Sequence, residues 1–407
     1  MQHNTAAVPE KTSRMLSIDV FRGLTIFTMI FVNDLAGIRN IPGWMKHVPA
    51  EADAMTFVDV VFPAFLFIVG MAIPLAIRNR LNKGAHYFTI GKHIFIRTAA
   101  LLVLGLLMVN ISVLNPQATG MSKYLWALLM FISAIFVWNR YPQTENNRRY
   151  LFLALKIGGV LMLLFLAIIY RGGETGNVHW LKTQWWGILG LIGWSYLVCS
   201  SLYLIFKNHI AAHIGMLCFF VFLYIGDKSG ALHFLPFIHN FLWLGGHIGG
   251  HASITTAGMI VTLLFLPDSP AQDHRKRINW ILTFTLFLFI SGYLLRPLYG
   301  ISKIYATPSW SLYCSAICCL IFLFLHWLID IKQIKNWANF LKPAGANPLL
   351  AYILPDIFYY LLALAGITLL GDYLGEGLLG IGRSLVFALL MLVVTNQLSR
   401  VGVKLQL

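Results

Sequence analysis

Charge is scarce in this sequence, and negative charge is scarcer: 11% of the 407 residues are charged, with 15 Asp and Glu against 30 Lys and Arg. A soluble chain of this length carries about 25% charged residues, so a soluble enzyme is excluded. The five cysteines (Cys199, Cys218, Cys314, Cys318 and Cys319) all fall inside apolar runs. They read as small buried hydrophobes rather than a disulfide framework or a metal site. The chain has no P-loop and no GxGxxG, so any nucleotide has to be held by side chains and helix ends. A soluble domain, a long linker, a low-complexity tract and an internal repeat are all missing too.

What fills the chain is apolar: 58% of residues are hydrophobic and 14% aromatic. Windows of about 20 apolar residues predict an all-α, polytopic integral membrane protein with about twelve transmembrane helices. The spans are 16–37, 57–77, 93–112, 122–138, 150–170, 185–206, 210–226, 251–266, 278–296, 309–329, 345–370 and 380–399. The polar start "MQHNTAAVPEKTSR" runs into a full-length apolar segment, which reads as a signal-anchor. The expected organisation is a cytoplasmic tail over 1–15, one transmembrane domain over 16–400 and a second cytoplasmic tail over 401–407.

Orientation is read from Lys and Arg. With the N-terminus inside, 19 of the 30 basic residues fall on the inner side, Lys11, Arg14, Arg78, Arg80, Lys83, Lys92 and Arg97 among them. Eight fall outside: Arg39, Lys46, Lys123, Arg171, Lys182, Lys228, Arg296 and Lys303. Both termini are therefore expected in the cytoplasm. The outer acids Asp34, Glu51, Asp53, Glu174, Asp227, Asp372 and Glu376 nearly balance the outer basic residues. Topology alone accounts for this pattern. An inner site for a polyanion and an outer one for a neutral or cationic ligand is the sharper alternative.

Ionisable residues inside spans cost about 2.5–3.5 kcal/mol on insertion scales and usually face a polar cavity. Asp19 and Arg22 lie one helical turn apart and can pair; a helix lock and a ligand role are equally open for them. Asp356 sits inside "ILPDIFYY". Asp59 sits in "FVDVVFPAF" with little else polar nearby, which favours function. Pro63 in the same helix frees a backbone carbonyl and permits a kink. The histidines His233, His239, His247 and His251 invite a metal, but "GGHIGGHAS" is too glycine-rich for a firm helix and no acid or cysteine completes a set. No metal is expected. Trp44, Trp243 and Trp310 are aromatic candidates for contact with a ligand.

The stretches "SIDVFRGLTIFTMIFVND", the single His47 that follows, and "TFVDVVFPAFLFIVGMAIPLA" resemble a family of transmembrane N-acetyltransferases whose best-known member acts on heparan α-glucosaminide. "GKHIFIRTAALLVLGLL" and "PAGANPLLAYIL" are similar to two further patches of that family. The resemblance is strong over 14–110 and weaker over 296–400, and closest to a bacterial, NagX-type branch. It departs at "GMSKYLWALLMFI", which lacks the family's Gln and Arg, in a longer loop between Asn33 and His47, and in an extra helix pair over 185–226.

The resemblance implies that acetyl-CoA enters from the cytoplasm and meets the amine of glucosamine, or of a glucosamine-terminated sugar, on the outer side. Asn33 and His47 match the positions where acetyl group and amine meet. His47, with an ordinary pKa of about 6.5, suits a general base. Asn33 suits a donor to the thioester oxygen, and Asp59 suits orienting the imidazole or holding the sugar ammonium. The coenzyme is expected at Arg97, Arg78, Arg80, Lys83, Lys92, Arg22 and Asn347, and the acceptor at Asp34, Trp44 and Trp310. The expected partners are an amino sugar and membrane lipid, with no nucleic acid and a homodimer left open. The expected location is a bacterial inner membrane. An amino-sugar transporter and an O-acyltransferase of an envelope glycan are the alternatives.

Overall fold

A computed structural model describes residues 15–142, 148–174, 176–232, 234, 241–367 and 374–407. Lys11, Arg14, His233, His239 and Asp372 lie outside the described residues. Twelve principal helices follow one another: α1 (Leu16–Leu35), α2 (Val58–Asn82), α3 (Tyr87–Ile111), α4 (Lys123–Trp138), α5 (Arg148–Ile169) and α6 (Gly187–Phe206), then α7 (Ile210–Lys228), α8 (His251–Leu263), α9 (His274–Tyr299), α10 (Pro308–Leu325), α11 (Pro348–Leu364) and α12 (Gly377–Arg400). Among the described residues, each predicted apolar stretch overlaps one of them. Among the described residues, nine helices are long and apolar enough to cross a membrane, or ten when a bent pair counts as one span. The protein is thus an all-α, polytopic membrane protein.

Helices α4 and α8, with 16 and 13 residues, fall short of a full crossing by themselves. A π-helical segment, Leu244–Gly250, leads directly into α8. The bent pair is Asn336–Ala346 followed by α11, and it turns through 78°. The turn falls at Asn347, before Pro348 opens α11, where a missing N–H costs nothing.

The centre of the bundle is α2, the most buried of the spanning helices. It packs on α8 so closely that backbones touch. A Cβ added at Gly70 would run into the Thr255 carbonyl, and one added at Gly258 into the Phe67 carbonyl. Small residues allow this approach where lipid offers no hydrophobic drive. Thr262 Oγ1 also donates to the Met71 carbonyl at 3.1 Å across the same contact.

Helix α2 carries Asp59 in its first turn and Arg78 and Arg80 near its other end. The short turn to α3 keeps Lys83, Lys92 and Arg97 at that second, basic end. The bundle therefore has a basic end and, opposite it, an end closed by the loop 36–57 that carries His47.

Candidate functional site

The loop 36–57 is stapled to its neighbours. Asp53 accepts from Arg296 Nε at 2.9 Å and from the Ile301 backbone N–H at 2.8 Å. Ser302 Oγ donates to the Ala50 carbonyl at 2.7 Å, and Tyr305 OH meets Glu51 Oε1 at 3.3 Å. On the other side Arg39 exchanges backbone bonds with Gly375 and Gly377. Two loops far apart in sequence, 36–57 and 300–307, are thus held as one surface.

At its centre His47 Nδ1 lies 2.6 Å from Asp59 Oδ1; the imidazole is 42% exposed and the carboxylate 3%. A carboxylate only accepts, so Nδ1–H donates, and in the neutral ring Nε2 is the acceptor. The second Asp59 oxygen accepts from the Thr56 backbone N–H at 3.1 Å, which fixes the carboxylate and through it the ring. Pro63 has no N–H to give the Asp59 carbonyl, and Trp310 Nε1 supplies the bond instead at 3.3 Å.

A third ionisable group stands here. Lys303 Nζ is 3.4 Å from both His47 ring nitrogens. Burial pushes its ammonium below the ordinary lysine range, while the nearby Asp59 carboxylate pulls the other way. The sequence marks Lys303 only as an outer-loop charge. No local signal distinguishes it, because its partners lie about 250 residues upstream.

From the basic end a cavity of about 400 Å³ enters the bundle, with Arg22, Arg97 and Tyr196 at its polar wall. The Arg97 guanidinium sits 4.6 Å from the centre of the Tyr196 ring, and its buried Nε has no hydrogen-bond acceptor. Arg22, Ile26 and Met29 line this cavity from α1. Their spacing of four and three places them on one helix face, and Asn33 is the next residue on that face. The stripe from Arg22 to Asn33 covers about 17 Å along the helix axis. Asn33 itself is exposed in the last turn of α1.

The structure therefore brings His47 and Asp59 together and sets Arg22 and Arg97 in one cavity. Other expected residues sit elsewhere. Arg78 is paired with Asp268 at 2.7 Å, and Arg80, Lys83 and Lys92 are outside the cavity wall, the last two exposed. Asn347 is buried, donating to Ser399 Oγ at 3.0 Å and the Val403 carbonyl at 2.9 Å. It also accepts from the Leu405 N–H, so its amide holds the C-terminal segment rather than lining the cavity. Asp19 and Arg22 pair at 3.2 Å.

The residues expected at the acceptor are also redistributed. Trp310 is fully buried against His251, so it offers no face to a sugar. Asp34 is enclosed by Arg383, Ser384 and Tyr359, because the partners that enclose it arrive from α11 and α12. Trp243 donates to Asp227. Trp44 alone of the three tryptophans is open, 62% exposed and packed on Phe57. His247 and His251 lie beside Trp243 and Trp310, and no group of three or more His, Cys, Asp or Glu suited to a metal occurs among the described residues.

A polytopic helical membrane protein with a His–Asp pair at one end and an arginine-lined cavity at the other is the class this geometry defines. A family described as a domain of unknown function (DUF5009) matches residues 14–244, and the chain belongs to that family. It is also similar to the heparan-alpha-glucosaminide N-acetyltransferase of Homo sapiens, 35% identical over 97 residues, which is 24% of this chain and 14% of the human protein. The Mus musculus protein of that name is 29% identical over 145 residues, 32% of this chain and 21% of the mouse protein. The chain thus matches less than a quarter of the length of either curated relative.

Proposed function

We propose that the chain is a membrane-embedded acetyltransferase. It takes acetyl from acetyl-CoA at its basic, cytoplasmic end and passes it to the amine of glucosamine, or of a glucosamine-terminated sugar, at the His47 end. The observation that carries this reading is the single face of α1 that runs from Arg22 in the cavity wall, through Met29, to Asn33. It joins an anion-suited mouth to the end where the base stands. The similarity to two N-acetyltransferases supports the same reaction class. Both termini are then cytoplasmic, the membrane crossings number about twelve, and the location is a bacterial inner membrane.

In this mechanism His47 Nε2 takes a proton from the attacking amine, while Asp59 holds the ring in the correct tautomer. Asn33 donates to the thioester oxygen as negative charge develops there. The amine nitrogen bonds to the thioester carbon, and the carbon–sulfur bond breaks as the tetrahedral intermediate collapses. The leaving sulfur takes the proton held by His47 to become the coenzyme thiol. Arg97 and Arg22, which line the cavity, hold the phosphates.

The test is direct. Purified protein with acetyl-CoA should release free thiol when an amino sugar is added, with a mass increase of one acetyl on its nitrogen. No thiol release with any amino sugar overturns the reading. Acetylation of an amine-free glycan instead establishes the O-acyltransferase.

A charge reversal separates the two ends. Arg97→Glu is expected to weaken acetyl-CoA binding by about tenfold or more, since charge-assisted bonds contribute about 1.5–3 kcal/mol. Acceptor binding should be unchanged. Equal coenzyme affinity in the folded variant, measured by calorimetry, removes Arg97 from the site.

A further inference from the structure

Lys303 stands where a transferase base needs explaining. A general base must keep one ring nitrogen free of a proton until the amine arrives. A neighbouring carboxylate works against that and a neighbouring cation works for it. Both stand beside this ring.

Lys303 has the position to act as that cation. Its Nζ is 3.4 Å from both ring nitrogens, so its charge bears on either tautomer. It is not a loose surface lysine. Its flanks are fixed by Ile301 N–H on Asp53 at 2.8 Å, by Ser302 Oγ on the Ala50 carbonyl at 2.7 Å, and by Ser302 N–H on Thr307 Oγ1 at 3.0 Å. Ala306 closes the turn with a left-handed backbone (φ 47°) and donates to the Lys303 carbonyl at 3.1 Å.

Other charged groups lie near His47 in the chain or pack against its loop. Asp59 faces it from α2, and Lys46, Glu51 and Asp53 share its loop. Glu51 meets Tyr305 and Asp53 holds Arg296. His251 on α8 and Cys314 on α10, both buried, are the titratable groups that neighbouring helices add near Lys303.

We propose that Lys303 is a positioning residue of this site, whose ammonium acts through His47 to hold the imidazole in its neutral, proton-accepting form. Asp59 and Lys303 then act on one ring in opposition: the first orients it and steadies the proton it gains, the second keeps it empty beforehand. The same positive charge presses an incoming amine toward its neutral, nucleophilic form. This inference rests on the acetyl-transfer reading only for its catalytic consequence; the coupling of lysine to histidine does not depend on it.

The experiment uses the full chain, labelled at its 13 histidines and followed by NMR, with the His47 signal assigned through its loss in His47→Gln. Removing a unit charge at this distance should raise the His47 titration midpoint in Lys303→Met by about 1–3 pH units. The acid limb of kcat/KM should move to higher pH by the same amount, because the base must be unprotonated to act. Lys303→Arg should keep both near the parent values. Lys303→Gln serves as a second neutral variant, so that either folded protein decides the matter. An unmoved His47 midpoint in a folded neutral variant overturns the proposal. A moved midpoint without any acetyl transfer in the parent protein keeps the lysine–histidine coupling and overturns the activity instead.

Discussion

His47→Ala is expected to lower turnover by about 10²–10⁴ while acetyl-CoA still binds. The size follows from the role. A general base contributes that much, and the rest of the rate comes from holding two reactants in line, where geometry can replace roughly 7–11 kcal/mol of barrier. The fold should survive the change: Asp59 keeps the Thr56 N–H on its second oxygen, and Lys303 remains near. Direct attack needs both substrates bound together, so initial rates with both varied should give intersecting double-reciprocal lines. A two-step route would make His47 a nucleophile carrying an acetyl-imidazole. That adduct hydrolyses readily, and a ring 42% exposed is poorly protected. Parallel lines, with an acetylated peptide containing His47, would show the two-step route.

The second large effect falls on a residue expected at the acceptor. Asp34 has a side chain only 1% exposed and accepts from Arg383 at 2.9 Å and Ser384 at 2.5 Å, with Tyr359 on its other oxygen. Arg383→Leu leaves that carboxylate without its guanidinium. Breaking one side of a buried pair costs about 3–5 kcal/mol, because the remaining charge is uncompensated. The expected result is a sharp fall in folded yield and in the thermal unfolding midpoint in detergent. The double variant Asp34→Asn/Arg383→Leu should recover much of it, since no charge is then stranded. If Arg383→Leu melts like the parent yet loses acceptor binding, Asp34 serves the ligand and not the fold.

These residues show what one sequence makes legible. Most of the apolar stretches find their helices among the described residues, nine or ten of them long enough to cross a membrane, because hydrophobic length is a local property, read window by window. The nearness of His47 and Asp59 is legible too, since only 12 positions separate them. Pro63 announces a freed carbonyl, but not that Trp310 takes it up. Asp34 looks available in the sequence because the chain that encloses it arrives more than 300 residues later. Lys303 looks like a topology charge for the same reason. Asn347 shows the limit from the other direction: a motif match marks a conspicuous amide, while only packing reveals that it ties down Val403 and Leu405.

The contact between α2 and α8 has a consequence for how anything crosses this protein. Gly70 and Gly258 let the backbones meet, and Thr262 pins them across the contact. Carriers that work by alternating access rock one half of the molecule against the other about a central substrate. Here the helix that bears Asp59 at one end and Arg78 at the other is locked to its neighbour along its middle, so a sliding or rocking motion there would have to pull touching main chains away from each other. Such a rigid spine fits the proposed reaction, in which only a two-carbon fragment would have to pass along the bundle and no large movement of α2 against α8 is called for.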